Sequence, residues 1–488
     1  MNPSPSFNFV QSVFELNMLS NLVSDNKNTA PNLQEDLSTM LIEIFGNADF
    51  QKVMGTWSLE WGPVVGEYGS DVTREYASNA LYVAKNQEGQ YVIATSATNP
   101  ASFYGWFVED FETSQMVPWI ATNTAPNAPR ISVGTSTGLA HLLAMVDNGG
   151  VSLMQYLTNT FSTSAVQTQL VVTGHSLGGA LSPVLALYID QAQSHWNPAS
   201  TVIVTTMPTA GASPGNQAFS DYQNAIMGPR TLRFWNKLDP VPHGWQPDMV
   251  EQVPFLYYPY YKPGLLLKAI AGLVVAQSLE GTKPYPAGGF YTNLQPQVSP
   301  LPGQVNITAA RNPSATQVLQ FFIDLGADEI FKALNFNNGF EIALIMDALN
   351  WVVKTFADAE SLDKLLDQIE AKLANLPGHD VFLKDLVLAL EIILTELENL
   401  IVFLLQLCYQ HVTTYPDLMG TYSIHPLTAS IIDNLVDTAQ LNANYKNVMD
   451  RLFDPVAMLK AATGAVGVVV KQVLTVDFIK SHPKALGY

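Results

Sequence analysis

The sequence has little cysteine and little charge. Cys408 is the single cysteine among 488 residues, so the chain can form no intrachain disulfide and no cysteine-rich metal site. Charged residues make up 13% and hydrophobic residues 48% of the chain. This composition is typical of a protein with a large buried core and excludes disorder for most of its length.

Basic residues are scarce relative to acidic ones. Lys and Arg number 23 against 42 for Asp and Glu, which gives a formal net charge of −19. Nucleic acid and anionic membrane surfaces are therefore poor electrostatic partners. An uncharged ester or carbohydrate would meet no such repulsion.

The N-terminus also lacks the features of a Sec signal peptide. Residues 1–19 have neither a basic segment nor a long apolar one, so we expect a cytoplasmic protein or export by a route other than Sec. The most apolar stretch, residues 381–408, contains charged side chains that a lipid-exposed span would not tolerate: Lys384, Asp385, Glu391, Glu396 and Glu398. We expect a buried amphipathic helix there, no transmembrane span, and at most transient contact with a lipid interface.

The composition and hydrophobic pattern of the chain change several times along its length. Short β-rich runs, among them NALYVAKN and QLVVTGH, alternate with helical segments in one region, which is typical of an α/β sheet. We divide the chain into an N-terminal helical arm (1–54), an α/β core (55–245), an apolar insert rich in Pro and Tyr (246–305), a helical insertion or cap (306–410) and a C-terminal part of the core (411–488). The insert at 246–305 fits either a lid or ordinary packed structure.

Ser176 is the candidate nucleophile. It lies in TGHSLGGALS, a G-x-S-x-G sequence that is weak evidence alone and depends on its context. A β-branched, apolar run precedes it and a helix-compatible run follows it, which is the strand, turn, helix order of a nucleophile elbow. The alternative is an inert serine in a glycine-rich turn.

The residues around Ser176 suit this role. Side chains at Gly174 or Gly178 would collide with the neighbouring strand or helix, and His175 completes the tight turn. The helix that follows directs free N–H groups toward the serine, so the N–H of Leu177 can stabilise an oxyanion.

A serine nucleophile requires a base and an orienting acid further along the chain. Asp239 directly follows the strand-like run Thr231 to Trp235, whereas Asp221 and Asp248 follow no strand so closely. Asp239 is therefore the candidate acid, although Asp-Pro is also a common turn.

Five histidines follow Asp239, and position excludes three of them. His243 is too near Asp239 in sequence to be a separate base, although it could line the pocket, and His379 and His482 lie in polar segments. His411 and His425 remain. Their local chemistry barely separates them.

Several of these residues together resemble the class 3 lipases, the fungal-type family with an α/β-hydrolase fold. The resemblance covers roughly residues 75–245 and a short piece near 411. It rests on the motifs GHSLGGAL, NKLDPVP, PTAGASPGNQAFSDY and ISVGTSTGL.

The resemblance implies two further assignments. In the family, an Arg-Gly-Thr or Arg-Gly-Ser loop follows an apolar strand and carries an oxyanion residue. Ser96-Ala97-Thr98 stands at that place here, which makes Thr98 the candidate. His411, followed by Tyr415 and Gly420, is similar to the family's histidine segment, so it is preferred to His425.

We therefore expect an α/β-hydrolase fold with a central, mostly parallel sheet flanked by helices and a large helical insertion before the catalytic histidine. The expected activity is hydrolysis of carboxylic esters through a Ser-His-Asp triad. We expect acylglycerol-like substrates and no metal or cofactor. A short-chain carboxylesterase or a phospholipase A1 fits the same residues. The alternative of another class is a non-catalytic interaction scaffold.

Overall fold

The structure is a computed structural model, and several short segments lie outside its description. It describes residues 6–66, 79–97, 113–120, 123–294, 299–307, 315–324, 327, 339–355, 362–373, 382–457 and 459. The run near residues 456–473, whose apolar sequence predicts a helix, lies almost wholly outside the described residues.

The strands are β1 (Trp57–Gly66), β2 (Asn79–Asn86), β3 (Tyr91–Thr95), β4 (Met116–Pro118), β5 (Arg130–Ser132), β6 (Thr168–His175) and β7 (Val202–Thr209). The helices before residue 300 are α1 (Phe9–Leu19), α2 (Ala30–Gly46), α3 (Ala48–Met54), α4 (Val133–Ala144), α5 (Leu153–Phe161), α6 (Leu177–Gln191), α7 (Gln193–Trp196), α8 (Gln217–Met227), α9 (Pro247–Val250) and α10 (Leu265–Thr282). Those after residue 300 are α11 (Ala315–Asp324), α12 (Gly339–Thr355), α13 (Leu362–Leu373), α14 (Phe382–Cys408), α15 (Thr414–Met419), α16 (His425–Asp437) and α17 (Val448–Phe453), with a π-helical turn at Tyr409–Thr413.

The central sheet is mixed rather than mostly parallel. Its strand order is β1-β2-β3-β6-β7. The β1–β2 and β2–β3 pairs are antiparallel, and the β3–β6 and β6–β7 pairs are parallel. Residues 231–235 run alongside β7 through parallel bridges at Thr231 and Phe234, so the parallel half of the sheet contains both the elbow and the segment that leads to Asp239.

Helices cover both faces of the sheet. One face packs against α4, α5 and α6 through a core that includes Leu142, Leu157 and Leu185. The other face packs against the N-terminal arm and α16, with Phe14 of α1 and Ile432 of α16 in the same cluster as Val171 of β6. Helix α1 contacts β3 and β6 directly, so the arm is part of the layer that covers the sheet.

The insertion forms a third apolar cluster. Helices α11, α12, α13 and α14 pack on one another, and α10 packs on α14. The cluster continues to Val241 and Trp245 just after Asp239, and Leu177 packs against it. The insertion is thus continuous with the region around Ser176.

Two stretches of the described chain are long and apolar enough to cross a membrane. They are Leu265–Thr282, of which 33% is buried, and Leu390–Met419, in which an apolar window of 18 residues is 67% buried. A core helix of a soluble protein passes the same test of length and hydropathy. The burial of the second stretch agrees with the buried helix expected at 381–408.

Two helical glycines provide a test of this packing. A Cβ added at Gly179 in α6 would lie 2.1 Å from the carbonyl oxygen of Thr209, whereas one at Gly272 in α10 would meet nothing within 4 Å. Gly179→Ala should therefore lower the free energy of unfolding by about 1–3 kcal/mol through overpacking. Gly272→Ala should raise it by up to about 1 kcal/mol by reducing the entropy of the unfolded chain.

Thermal unfolding of the two variants beside wild type measures this difference. A Gly179→Ala protein as stable as Gly272→Ala would contradict the close approach of α6 to β7.

Candidate active site

Ser176 lies at a strained turn between β6 and α6. Its backbone has φ 59° and ψ −117°, in a region that side chains other than glycine rarely adopt. The N–H of Ser176 donates to the carbonyl oxygen of Thr209 at 3.1 Å, which ties the turn to the end of β7. Ser176 is 2% exposed, and its Oγ has no hydrogen-bond partner among the described residues.

The neighbouring glycines allow this turn because the backbones around it touch. A Cβ at Gly174 would lie 2.2 Å from the carbonyl oxygen of Gly178, and one at Gly178 would lie 2.6 Å from that of Thr95. Neither position has space for a side chain. The start of α6 can therefore pack between the ends of β6 and β3.

Asp239 and His411 meet across a long interval of sequence. The Nδ1 of His411 lies 2.8 Å from Oδ2 of Asp239, and their side chains are 1% and 0% exposed. A carboxylate oxygen only accepts hydrogen bonds, so the Nδ1–H of His411 donates to it. This bond fixes the tautomer of a neutral His411 and makes Nε2 the basic nitrogen.

The π-helical turn holds His411 against the elbow. The carbonyl oxygen of His411 accepts a hydrogen bond from Nε2–H of His175 at 2.8 Å, and the two imidazole rings lie 4.9 Å apart between centroids. Burial and the nearby His411 ring lower the pKa of His175 well below its usual value. His175 is therefore neutral and donates a hydrogen bond to the π-helical turn. Because His175 directly precedes Ser176, this bond connects the turn that carries His411 to the nucleophile elbow.

Asp239 is also bound by Tyr415 and by its own loop. The hydroxyl of Tyr415 donates to Oδ2 of Asp239 at 2.9 Å, and the N–H of Val241 donates to Oδ1 at 3.0 Å. Burial, together with the charge of Asp239, raises the pKa of Tyr415 well above its usual value. Tyr415 thus stays protonated and keeps donating. The aromatic residue four positions after His411 is visible in the sequence, but this hydrogen bond is not.

The other candidate histidines bind different groups, and the other candidate acids are exposed. The Nε2 of His425 lies 3.3 Å from Oε1 of Glu15 in α1, and the ring of His425 stacks on Phe453 with a centroid separation of 4.3 Å. His243 bonds the backbone oxygen of Asp239 through Nδ1 at 2.8 Å. Asp221 and Asp248 are exposed on the surface.

Of the two oxyanion candidates, Leu177 lies within the described residues and Thr98 does not. Leu177 is the first residue of α6, where backbone N–H groups have no partner within the helix. Thr98 lies outside the described residues. The last described residue before it, Ala97, donates its N–H to Oδ1 of Asn21 at 2.8 Å, a brace from the N-terminal arm that sequence reasoning missed.

The described residues include no group of three or more His, Cys, Asp or Glu side chains that could hold a metal ion.

Tyr415→Phe should lower the free energy of unfolding by about 1–3 kcal/mol, the usual cost of leaving buried polar groups unpaired. The variant removes the donor to Asp239 and also the acceptor for the N–H of Asn236, which lies 3.0 Å from the Tyr415 oxygen. Tyr422→Phe is the matched control because Tyr422 is 54% exposed. Thermal unfolding measures both, and equal melting temperatures for the two variants would contradict the buried network.

Comparison with known proteins gives one family match. A family model described as lipase (class 3) matches residues 113–248, a range that contains Ser176 and Asp239. A search of curated proteins gave no match.

Among solved structures, M37 lipase is 27% identical, covers 62% of this chain and 86% of its own, and has a TM-score of 0.53. Lipase II from Rhizopus niveus is 14% identical, with 48% of this chain and 76% of its own covered and a TM-score of 0.31. Rhizomucor miehei triacylglyceride lipase is 18% identical, with 47% and 74% covered and a TM-score of 0.31. Of these three structures, only M37 lipase has a TM-score above 0.5.

The predicted family and fold are confirmed by the family model and by M37 lipase together. The chain has an α/β-hydrolase fold, its residues 113–248 match the class 3 lipase family, and these similarities support a serine hydrolase of the lipase type.

Proposed function

We propose that the chain hydrolyses carboxylic esters through an acyl-enzyme formed on Ser176, with His411 as general base and Asp239 as the orienting acid. The observation that carries this proposal is the 2.8 Å contact between His411 Nδ1 and Asp239 Oδ2. The carbonyl of the same histidine is bonded to His175, the residue before Ser176. The three side chains come from three separate segments of the sequence.

In the proposed reaction, Ser176 Oγ attacks the ester carbonyl while Nε2 of His411 takes the serine proton. The charge of Asp239 stabilises the imidazolium that forms. The imidazolium then protonates the leaving alcohol, and water activated by the same nitrogen hydrolyses the acyl-enzyme.

The oxyanion would be bound by backbone donors. The N–H of Leu177 lies at the start of α6, where the helix dipole favours negative charge. Thr98 is the proposed second donor. Donors of this kind each contribute about 3 kcal/mol to transition-state stabilisation.

The proposed substrates are acylglycerol-like esters with an apolar acyl chain. Leu177 and Leu238 pack against the cluster that contains Val241, Trp245 and Leu266. Apolar surface thus adjoins both the nucleophile and the acid loop, which suits a hydrocarbon chain better than a charged acyl group. The net charge of −19 likewise disfavours anionic substrates.

His411→Ala should lower kcat for a soluble nitrophenyl ester by at least about 1,000-fold, because no base remains for Ser176. His425→Ala is the matched control: it removes an equally buried histidine that pairs with Glu15, so it should lower the melting temperature while kcat stays close to wild type. Steady-state kinetics and thermal unfolding of both variants separate the two roles. Loss of activity in His425→Ala with activity retained in His411→Ala would exclude the proposed base.

Lengthening the acyl chain of a nitrophenyl ester from acetate to hexanoate should raise kcat/KM by about 10-fold or more. Each buried methylene contributes about 0.8 kcal/mol, so even half-burial of four methylenes gives this factor. Rates measured with Ser176→Ala provide the background. A kcat/KM that stays flat or falls with chain length would exclude the acyl-chain proposal and favour a short-chain esterase.

A further inference from the structure

The π-helical turn at Tyr409–Thr413 is held by side chains from outside its own helix. The carbonyl oxygen of Gln410 accepts from Nδ2 of Asn236 at 3.2 Å, and that of His411 accepts from His175 at 2.8 Å. Two successive carbonyls are thus bound by the acid loop and by the elbow. Short π-helical segments in helices often coincide with functional sites.

The side chain of Gln410 strengthens the first of these connections. Its Oε1 accepts from Nδ2 of Asn236 at 2.7 Å, and its Nε2 donates to the carbonyl oxygen of Gln304 at 2.7 Å. Gln410 and Asn236 are both 0% exposed. One buried amide therefore joins the turn that carries His411, the loop that carries Asp239 and the end of the insert at 246–305.

Asn236 has little freedom to move. Its Oδ1 accepts from the N–H of Leu238 at 3.0 Å, and a Cβ on Gly303 would lie 2.0 Å from the same oxygen. Its own N–H donates to Tyr415, which binds Asp239. A shift of the Asn236 side chain would thus disturb the acid loop three residues before Asp239.

Removing the amide of Gln410 has a defined cost. Asn236 Nδ2 would lose its shortest acceptor and keep only the Gln410 carbonyl and Thr414 Oγ1, both at 3.2 Å, and the Gln304 carbonyl would lose this donor. Loss of hydrogen bonds in a buried polar network is unfavourable. The loop and the turn would relax toward other partners. We expect such a movement to change the separation of His411 and Asp239 without unfolding the protein.

We propose that Gln410 is a positioning residue: its side-chain amide fixes the π-helical turn to the acid loop and so holds the imidazole of His411 in register with Asp239. This inference rests on the proposed function. Gln410 acts through His411 and need not touch the substrate.

Gln410→Met tests the proposal, because methionine has nearly the same length and volume but no amide. For a soluble nitrophenyl ester we expect kcat to fall by about 10- to 100-fold with KM within about 2-fold, since misplacement of a catalytic group by about 1 Å has effects of this size.

Asn197→Leu is the control. Asn197 is also 0% exposed and makes three or more hydrogen bonds near the start of β7, away from the elbow. The Asn197→Leu variant should have a lower melting temperature than wild type and an unchanged kcat.

A kcat for Gln410→Met within about 2-fold of wild type, with the same fall in melting temperature as Asn197→Leu, would overturn the proposal. If Gln410→Met does not accumulate as folded protein, Thr414→Val serves instead. Thr414 Oγ1 accepts from Asn236 at 3.2 Å and donates to the Gln410 carbonyl at 2.9 Å, and valine has the same shape. The kcat of Thr414→Val should fall by about 3-fold or more, and an unchanged kcat would contradict the positioning role of this network.

The low-field proton signal of His411 Nδ1–H separates this inference from the proposed function. The signal, assigned by its absence in His411→Ala, should shift or broaden in Gln410→Met and stay unchanged in Asn197→Leu. A wild-type protein without esterase activity but with this response would refute the proposed function and retain the positioning role. An active wild type whose signal is unchanged in Gln410→Met would refute the positioning role alone.

Discussion

The hydrogen bond between His411 and Asp239 is the constraint on which the rest of the architecture depends. Its two residues are 172 positions apart, and the apolar insert and the helical insertion lie between them. The chain must therefore leave the sheet after Asp239 and return to the same edge within hydrogen-bond distance. The long helix α14 returns it, and the π-helical turn at its end sets the direction of His411.

The surroundings of this bond are polar and fully buried, which makes its geometry specific. Asn236, Gln410, Thr414 and Tyr415 satisfy one another with bonds of 2.7 to 3.2 Å. Apolar packing alone tolerates small shifts, whereas a buried amide that loses its partner does not. The strained backbone of Ser176 is supported in a similar way, because Gly174, Gly178 and the Thr209 carbonyl leave the turn no room to relax.

Local sequence patterns predict the elements that depend on local sequence. NALYVAKN coincides with β2, and the strand, turn and helix around Ser176 lie where the G-x-S-x-G context indicates. The antiparallel half of the sheet could not be predicted, since pairing direction depends on distant segments. Local chemistry did not separate His411 from His425 for the same reason, and only the family resemblance favoured His411: the residues that distinguish them, Asp239 and Glu15, are far away in the chain. The π-helical turn and the Gln410 amide give no signal in one sequence, because a glutamine after an apolar helix is compatible with an exposed surface.

Reaction of the folded protein with a fluorophosphonate, followed by mass spectrometry of the modified peptide, tests the central claim most directly. The account predicts one covalent adduct on Ser176 in wild type and strongly slowed labelling in His411→Ala, whose serine lacks the base. A folded wild-type protein that is not labelled, or that carries the adduct on another residue, would contradict it.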